Sequence, residues 1–422
     1  MPNLPSRLGP ILTGLRNAAL VPAPSLRLMG RSQDRWSEDE RIPPLLPRLV
    51  IPMKDSTEDT VAYNRYFEQG QFLSRQENWA ELGKLIRRFD AQRIATPGGT
   101  PVSEVLAAGA RFDAVQAAIE AVTCFDEAGA RLPLNALQEV LEDHSEDHGV
   151  ALVVALAHID IGWAWRGDNW GSPLPTVAKG AFHAHFRAAA RIIDRFDPFE
   201  LDAPAMAGAR CALLAVDASP EMRVADDFED LIDLDPGNAN RMRAFGLNLL
   251  PRWFGSYKQL ELQARRIAAR TADLWGAGAY TWVYLDALSV DPGAFDKLDA
   301  EYFAEGLHDI LERRPDQHTV NMLAAFTGYT LSGMACDPGN RGRIASCFNW
   351  IVQDHLREVH PLVWMRPVSN VSHPQPQPAD RDLQKRGRVR ALSSLAEHFA
   401  PQIRAGNRVL FENGGITIAP SA

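Results

Sequence analysis

Apolar residues recur every three or four positions along most of this 422-residue chain. This spacing places apolar side chains on one face of an α-helix. Strand-like alternation is scarce, so the sequence predicts an all-α body that begins near Thr57 and includes a helix near 341–357. The other predicted apolar faces comprise Trp79, Leu82, Ile86 and Phe89; Val105, Ala108, Phe112, Val115, Ile119 and Val122; Leu152, Leu156, Ile159 and Trp163; Phe182, Phe186, Ala189, Ile193 and Phe196; Leu260, Ala264, Ile267, Thr271 and Leu274; Phe303, Leu307 and Ile310; and Val389, Leu392, Ala396 and Phe399.

Asp-Pro dipeptides separate several of these stretches. Proline cannot continue a helix from its interior but can open the next one, so each dipeptide predicts a stop followed by a start. The sequence therefore predicts stacked helical hairpins in a right-handed α-solenoid, in which each layer touches only its neighbours. The four dipeptides are Asp197-Pro198, Asp235-Pro236, Asp291-Pro292 and Asp337-Pro338.

The two ends of the chain differ from this body. Four prolines in 41–54 predict an extended segment, and His-Pro-Gln-Pro-Gln-Pro at 373–378 predicts a linker. Residues 408–418 predict two short strands around an Asn-Gly turn. We therefore expect an extended or partly disordered arm (1–54), a helical-repeat body (55–367), and a Pro-rich linker with a terminal helix and a short β-hairpin (368–422).

Composition narrows the class of protein. The formal net charge of −9 argues against general nucleic-acid binding, which needs a basic face. The four cysteines are widely scattered and form no Cys-x-x-Cys pair, which is typical of a reducing compartment. No run of about 18 apolar residues occurs, so we expect no membrane span. We predict a cytoplasmic protein without a cofactor.

The first 33 residues carry four arginines and no acid, a charge of +4 that leaves −13 for the remainder. Leu8, Ile11, Leu12, Leu15 and Ala19 have helical spacing. A surface-associating amphipathic helix or an organellar presequence is one interpretation. A loosely ordered tail is the other, and we favour it.

Two short motifs resemble the tetratricopeptide repeat. Trp79-Ala80-Glu81-Leu82-Gly83 is similar to the opening helix of that repeat, and Leu234-Asp235-Pro236-Gly237-Asn238 is similar to the junction between successive repeats. Ile86 stands where the family has an aromatic residue, and the 34-residue period of the family is not kept. The resemblance implies a helical-hairpin fold that binds a protein or peptide in a groove, without catalysis of its own.

An acidic stretch, 142–148, contains His144 and His148. On one helix these residues would share a face and could bind a metal ion. A zinc-protease motif needs glutamate after the first histidine, and Ser145 stands there instead. The alternative interpretation is a solvated polar surface.

Two further groups are candidates for partner binding. Lys179, His183, Arg187 and Arg191 recur at steps of four opposite an apolar face, which is typical either of a basic groove for an acidic peptide or phosphate or of a solvated helix face. Trp163, Trp165 and Trp170 flank a polar turn. We assign Trp163 to the core and keep Trp165 and Trp170 as candidates for a ligand platform.

The favoured function is a non-catalytic scaffold or adaptor that binds another protein on a helical-repeat surface. The alternative is a helical metal-dependent enzyme that uses the histidines and acids of 142–148.

Overall fold

The protein is mostly helical, as the sequence predicts, with one small β-sheet. A computed structural model describes residues 48–167, 174–332, 339–365, 381–412 and 414–420. The described chain divides into two compact units. The first unit contains 62–167 and 174–235, and the second contains 48–61 and the described residues from 236 onward.

The helices of the first unit follow one another through short connections. α1 begins four residues before this unit. The bounds are α1 Glu58–Arg75, α2 Trp79–Ala91, α3 Val102–Thr123, α4 Glu127–Asp143, α5 His148–Arg166, α6 Thr176–Ile193, α7 Pro204–Ala212 and α8 Val224–Leu234, with short 3-10 helices at Leu213–Val216 and Pro220–Met222.

Helix α5 lies at the centre of the first unit. It contacts α2, α3, α4, α6 and α7, and buried side chains surround almost its whole circumference. A helix that is apolar on all sides must be enclosed by other elements. By length and composition α5 is also the one described helix that could cross a membrane, but 72% of its apolar window is buried inside the protein.

Glycines bring two helices of the first unit into close contact. A Cβ atom built on Gly70 of α1 would overlap the carbonyl oxygen of Leu106 in α3, and one built on Gly109 of α3 would overlap that of Phe67 in α1. The crossing therefore has room for hydrogen atoms and for no side chain at either position.

The three Asp-Pro dipeptides that the structure describes each follow the end of a helix, as predicted, but only Pro292 begins the next helical segment itself. α6 ends at Ile193 before Asp197, α8 ends at Leu234 before Asp235, and the second-unit helix before Asp291 ends at Val290. Asp197 and Asp291 also accept hydrogen bonds from backbone N–H groups that follow the proline. Asp337-Pro338 lies outside the described residues, as do the Pro-rich linker and most of the N-terminal arm.

The second unit is built around α12, whose residues are almost all buried and which packs against α9, α10 and α13. Its helices are α9 Ala239–Asn248, α10 Tyr257–Arg270, α11 Ala272–Trp275, α12 Gly278–Val290, α13 Ala300–Arg313, α14 Gln317–Ala324, α15 Asn340–Ala345, α16 Phe348–Trp350, α17 Pro361–Met365, α18 Arg381–His398 and α19 Ala400–Arg404; Pro292–Asp296 is a 3-10 helix, and Ala325–Thr330 and Ile351–His355 are π-helical.

Two predicted core positions of this unit are wrong. Leu274 is 45% exposed and its neighbour Trp275 is buried, because α10 ends at Arg270 and the chain restarts in α11. Val389 is 38% exposed, whereas Ala391 and Leu395 of α18 are buried. Other residues predicted in the same two stretches are buried as expected: Leu260, Ala264, Ile267, Thr271, Ala396 and Phe399.

The predicted C-terminal hairpin is confirmed. β2 (Asn407–Glu412) pairs antiparallel with β3 (Gly415–Pro420), and Glu412 lies opposite Gly415. A third strand, β1 (Leu49–Val50), pairs parallel with β2 on its other side. The sheet thus joins the described start of the chain to its end.

The glycine crossing makes a prediction about stability. Gly109→Ala should lower the free energy of unfolding by about 1–3 kcal/mol, because the added methyl group must push α1 away from α3. Urea denaturation measures this difference. Gly180→Ala in α6 is the control, because a Cβ there meets no atom within 4 Å; it should stabilise the protein by about 0.5–1 kcal/mol. Equal stability of Gly109→Ala and the wild type would refute the close crossing.

Candidate partner-binding site

The outer face of α6 is the candidate site. The helix buries Phe182, Phe186, Ala189 and Ile193, as predicted, and it contains no aspartate or glutamate. Because residues four apart are neighbours on a helix surface, its polar residues at steps of four form one row on the opposite side.

Four basic residues form that row, which we call the basic row: Lys179, His183, Arg187 and Arg191. Lys179, Arg187 and Arg191 are exposed, and His183 is half-buried against the ring of Phe182. Within the described chain, Lys179, Arg187 and Arg191 have no ion-pair or hydrogen-bond partner. The row extends roughly 18 Å along the helix at 1.5 Å per residue.

Two histidines form a contact between α5 and α6, on the side of α6 that faces α5. Nδ1 of His158 in α5 lies 3.2 Å from Nδ1 of His185 in α6. The ring centroids are 5.4 Å apart, so both nitrogens lie near the line that joins the rings. This is the geometry of an N–H···N hydrogen bond, in which one Nδ1 carries a proton and the other accepts it.

Both histidines of this pair are neutral at pH 7. Burial lowers the pKa of His158 to about 4, and the neighbouring His185 and Arg191 add to the shift. Burial likewise lowers the pKa of His185 to about 4, with a contribution from Arg131. Two nitrogen ligands of a tetrahedral zinc ion would point at a common centre off the line that joins them, whereas these two nitrogens point at each other. The pair as aligned therefore shares a proton rather than a metal ion.

The remaining candidates do not join this site. The prediction that Trp165 contributes to a ligand platform is wrong. Its side chain is 4% exposed and packs into the core, with one edge near Phe125. Trp163 is buried against Phe182 and Phe186, as predicted. Trp170 lies outside the described residues.

His144 and His148 do not share a helix. α4 ends at Asp143, His144 lies in the following turn, and His148 is the first residue of α5. The shared helix face on which the metal-binding interpretation depends is therefore not formed. Among the described residues no group of three or more His, Cys, Asp and Glu side chains is arranged to hold a metal ion.

Comparison with protein-family models, with curated proteins and with solved structures gives no match for this chain. The candidate site therefore rests on its own geometry.

The second unit contains buried charges that sequence reasoning missed. Arg243 donates from Nη2 to Oδ1 of Asp286 at 2.8 Å, and both side chains are almost completely inaccessible. Burial raises the pKa of Asp286, and the guanidinium of Arg243 opposes that shift. Glu358 accepts from Nε2 of His360 at 2.9 Å and pairs with Lys54 at 3.0 Å. The pairs of Arg243 with Asp286 and of Lys54 with Glu358 join segments that are far apart in the sequence.

A sequence signal for the histidine pair does exist. His185 lies between Phe182 and Phe186 on the apolar side of α6, and His158 lies within the apolar α5. A titratable side chain inside an apolar pattern indicates a buried polar partner. The pattern does not say which helix supplies that partner.

The pair predicts a specific loss of stability in acid. In the unfolded chain both histidines have pKa values of about 6.5, whereas in the folded chain both are about 4. The unfolded chain therefore binds more protons between these values, and the pair's contribution is complete above pH 6.5 and is lost as the pH falls towards 4.

The test is urea denaturation of the wild type and of His158→Asn/His185→Asn at pH 7 and pH 5. The double variant should lose less stability between the two pH values, because amides keep hydrogen-bonding capacity without titrating. His183→Asn is the control and should behave as the wild type. An equal loss in the wild type and the double variant would show that the pair does not control this pH dependence.

Proposed function

We propose that this protein is a non-catalytic interaction module, a scaffold or adaptor, and that the basic row of α6 binds an acidic segment of a partner protein. This proposal rests on one observation. Helix α6 has no acidic residue, and Lys179, Arg187 and Arg191 have no ion-pair or hydrogen-bond partner among the described residues. Exposed charge of one sign attracts the opposite charge and speeds its association.

Other exposed arginines of this protein already have carboxylate partners, which supports the basic row as the binding site. Arg75 pairs with Asp113, Arg343 with Glu301 and Arg388 with Asp55. A cation that already has a carboxylate partner gains little from a second one. The basic row has no such competitor, so its cations remain available to an incoming anion.

The tetratricopeptide-like solenoid is part of the same proposal. Gly83, which stands at the small position of the resembling motif, lies against Gly149 and Asp147 at the start of α5, where a Cβ would overlap the Asp147 carboxylate. Asn238 of the junction motif caps α9 by accepting from the N–H of Asn240. Gly83 thus allows α2 and α5 to approach closely, and Asn238 stabilises the helix start that follows the Asp-Pro dipeptide. A cytoplasmic location and the predicted boundaries at 54 and 367 belong to this proposal as expectations.

The alternative, a metal-dependent enzyme, has no comparable support. It relied on His144 and His148 sharing one helix face, and they lie instead in the turn after α4 and at the start of α5.

The basic row predicts a charge-dependent interaction. Wild-type protein should bind a fluorescent acidic peptide, and Arg187→Glu/Arg191→Glu should weaken binding at least tenfold because attraction becomes repulsion. Fluorescence anisotropy measures both, and raising the salt from about 0.05 to 0.5 M should weaken wild-type binding by screening.

The matched control is Lys84→Glu/Arg88→Glu. These exposed residues of α2 are also four apart, and the change in net charge is the same. The control should bind as the wild type does. Equal weakening by both double variants would mean that only the total charge matters and would overturn the proposed site.

A further inference from the structure

A row of small residues lies beside the basic row on α6. Gly180, Ala184 and Ala188 also recur at steps of four. Each lies three positions before His183, Arg187 or Arg191, so the two rows are neighbours on the helix surface. We call Gly180, Ala184 and Ala188 the small row.

The two rows differ in height above the helix axis. Gly180 and Ala184 are exposed, and a Cβ on Gly180 would meet no atom within 4 Å. Long cationic side chains thus border a strip where the backbone of α6 can be approached closely. Side-chain size at the contact sets how near two helices come, within a usual range of about 8–10 Å between axes.

We propose that the partner segment is an α-helix that packs on the small row and places acidic side chains at steps of four against Arg187 and Arg191. This inference rests on the proposed function, because it specifies the partner of the same basic row.

Helix geometry favours this occupant over an extended peptide. The basic and small rows are both i, i+4 rows, and a ridge of the same kind on a partner helix fits such a groove at a crossing angle of about −50°. Acidic residues four apart on that helix repeat with the same rise as the arginines. An extended peptide would gain the charge pairs but no benefit from the small row.

Two probes of about 20 residues and equal net charge separate these cases. The helical probe carries glutamate at every fourth position among alanine and other strong helix formers. The extended probe has the same glutamates with prolines between them, which prevent a helix. Circular dichroism verifies the two conformations, and anisotropy gives the dissociation constants.

The deciding variant is Ala184→Leu, which changes no charge and adds bulk to the small row. It should weaken the helical probe at least tenfold and leave the extended probe within about twofold. Ala80→Leu on the exposed side of α2 is the matched control and should leave both probes unchanged. Thermal unfolding verifies that Ala184→Leu is folded.

The experiment distinguishes failure of the helical-partner proposal from failure of the proposed function. If Ala184→Leu binds the helical probe normally, or the extended probe binds the wild type as tightly as the helical one, the helical partner is wrong while the basic row stands. If the wild type binds neither probe, the proposed function fails as well. Binding of a single-stranded oligonucleotide alone, lost in Arg187→Glu/Arg191→Glu, would overturn both in favour of nucleic acid. A dimer in sedimentation without peptide, lost in the same variant, would identify a second copy of this chain as the occupant.

Discussion

The need to neutralise charge inside a mostly helical core governs much of this structure. A buried charge without a partner is costly, and a buried pair is tolerated only when its geometry is good. Arg243 and Asp286 form a buried pair of this kind in the second unit, and Arg111 and Asp160 form one between α3 and α5 in the first. Removing one member of such a pair would strand the other. These pairs thus fix which helices can lie side by side, in addition to the apolar packing around them.

Central helices impose the second constraint. α5 and α12 are enclosed on nearly all sides, so their surfaces must fit several neighbours at once. Small residues make this possible: a Cβ on Gly246 of α9 would overlap the carbonyl oxygen of Val283 in α12, and one on Gly162 of α5 would overlap the ring of Phe186. α6 is therefore pressed against α5 along its aromatic side. Its opposite side is left to solvent, and that side carries the basic row.

Local features of the fold could be predicted from the sequence, and distant pairings could not. Asp-Pro stops and the C-terminal hairpin depend on neighbouring residues and were correct. The parallel pairing of Leu49 with Val409 joins residues 360 positions apart, and nothing local specifies it. Leu274 was misplaced because one break between helices changes the phase of the following residues. The residues of the basic row lie on one helix, as helical spacing predicts, whereas the pair of His158 and His185 depends on how two helices meet.

The histidine pair and the basic row are linked electrostatically, and the link has a definite sign. Arg191 contributes to the lowered pKa of His158, because its positive charge disfavours a second one nearby. An acidic partner bound at Arg191 would offset that charge and raise the pKa of His158. By reciprocity, protonation of the histidine pair would then strengthen partner binding. Acid therefore has opposite effects on folding and on binding: it destabilises the folded protein through the α5–α6 contact, and it favours binding of the anionic partner.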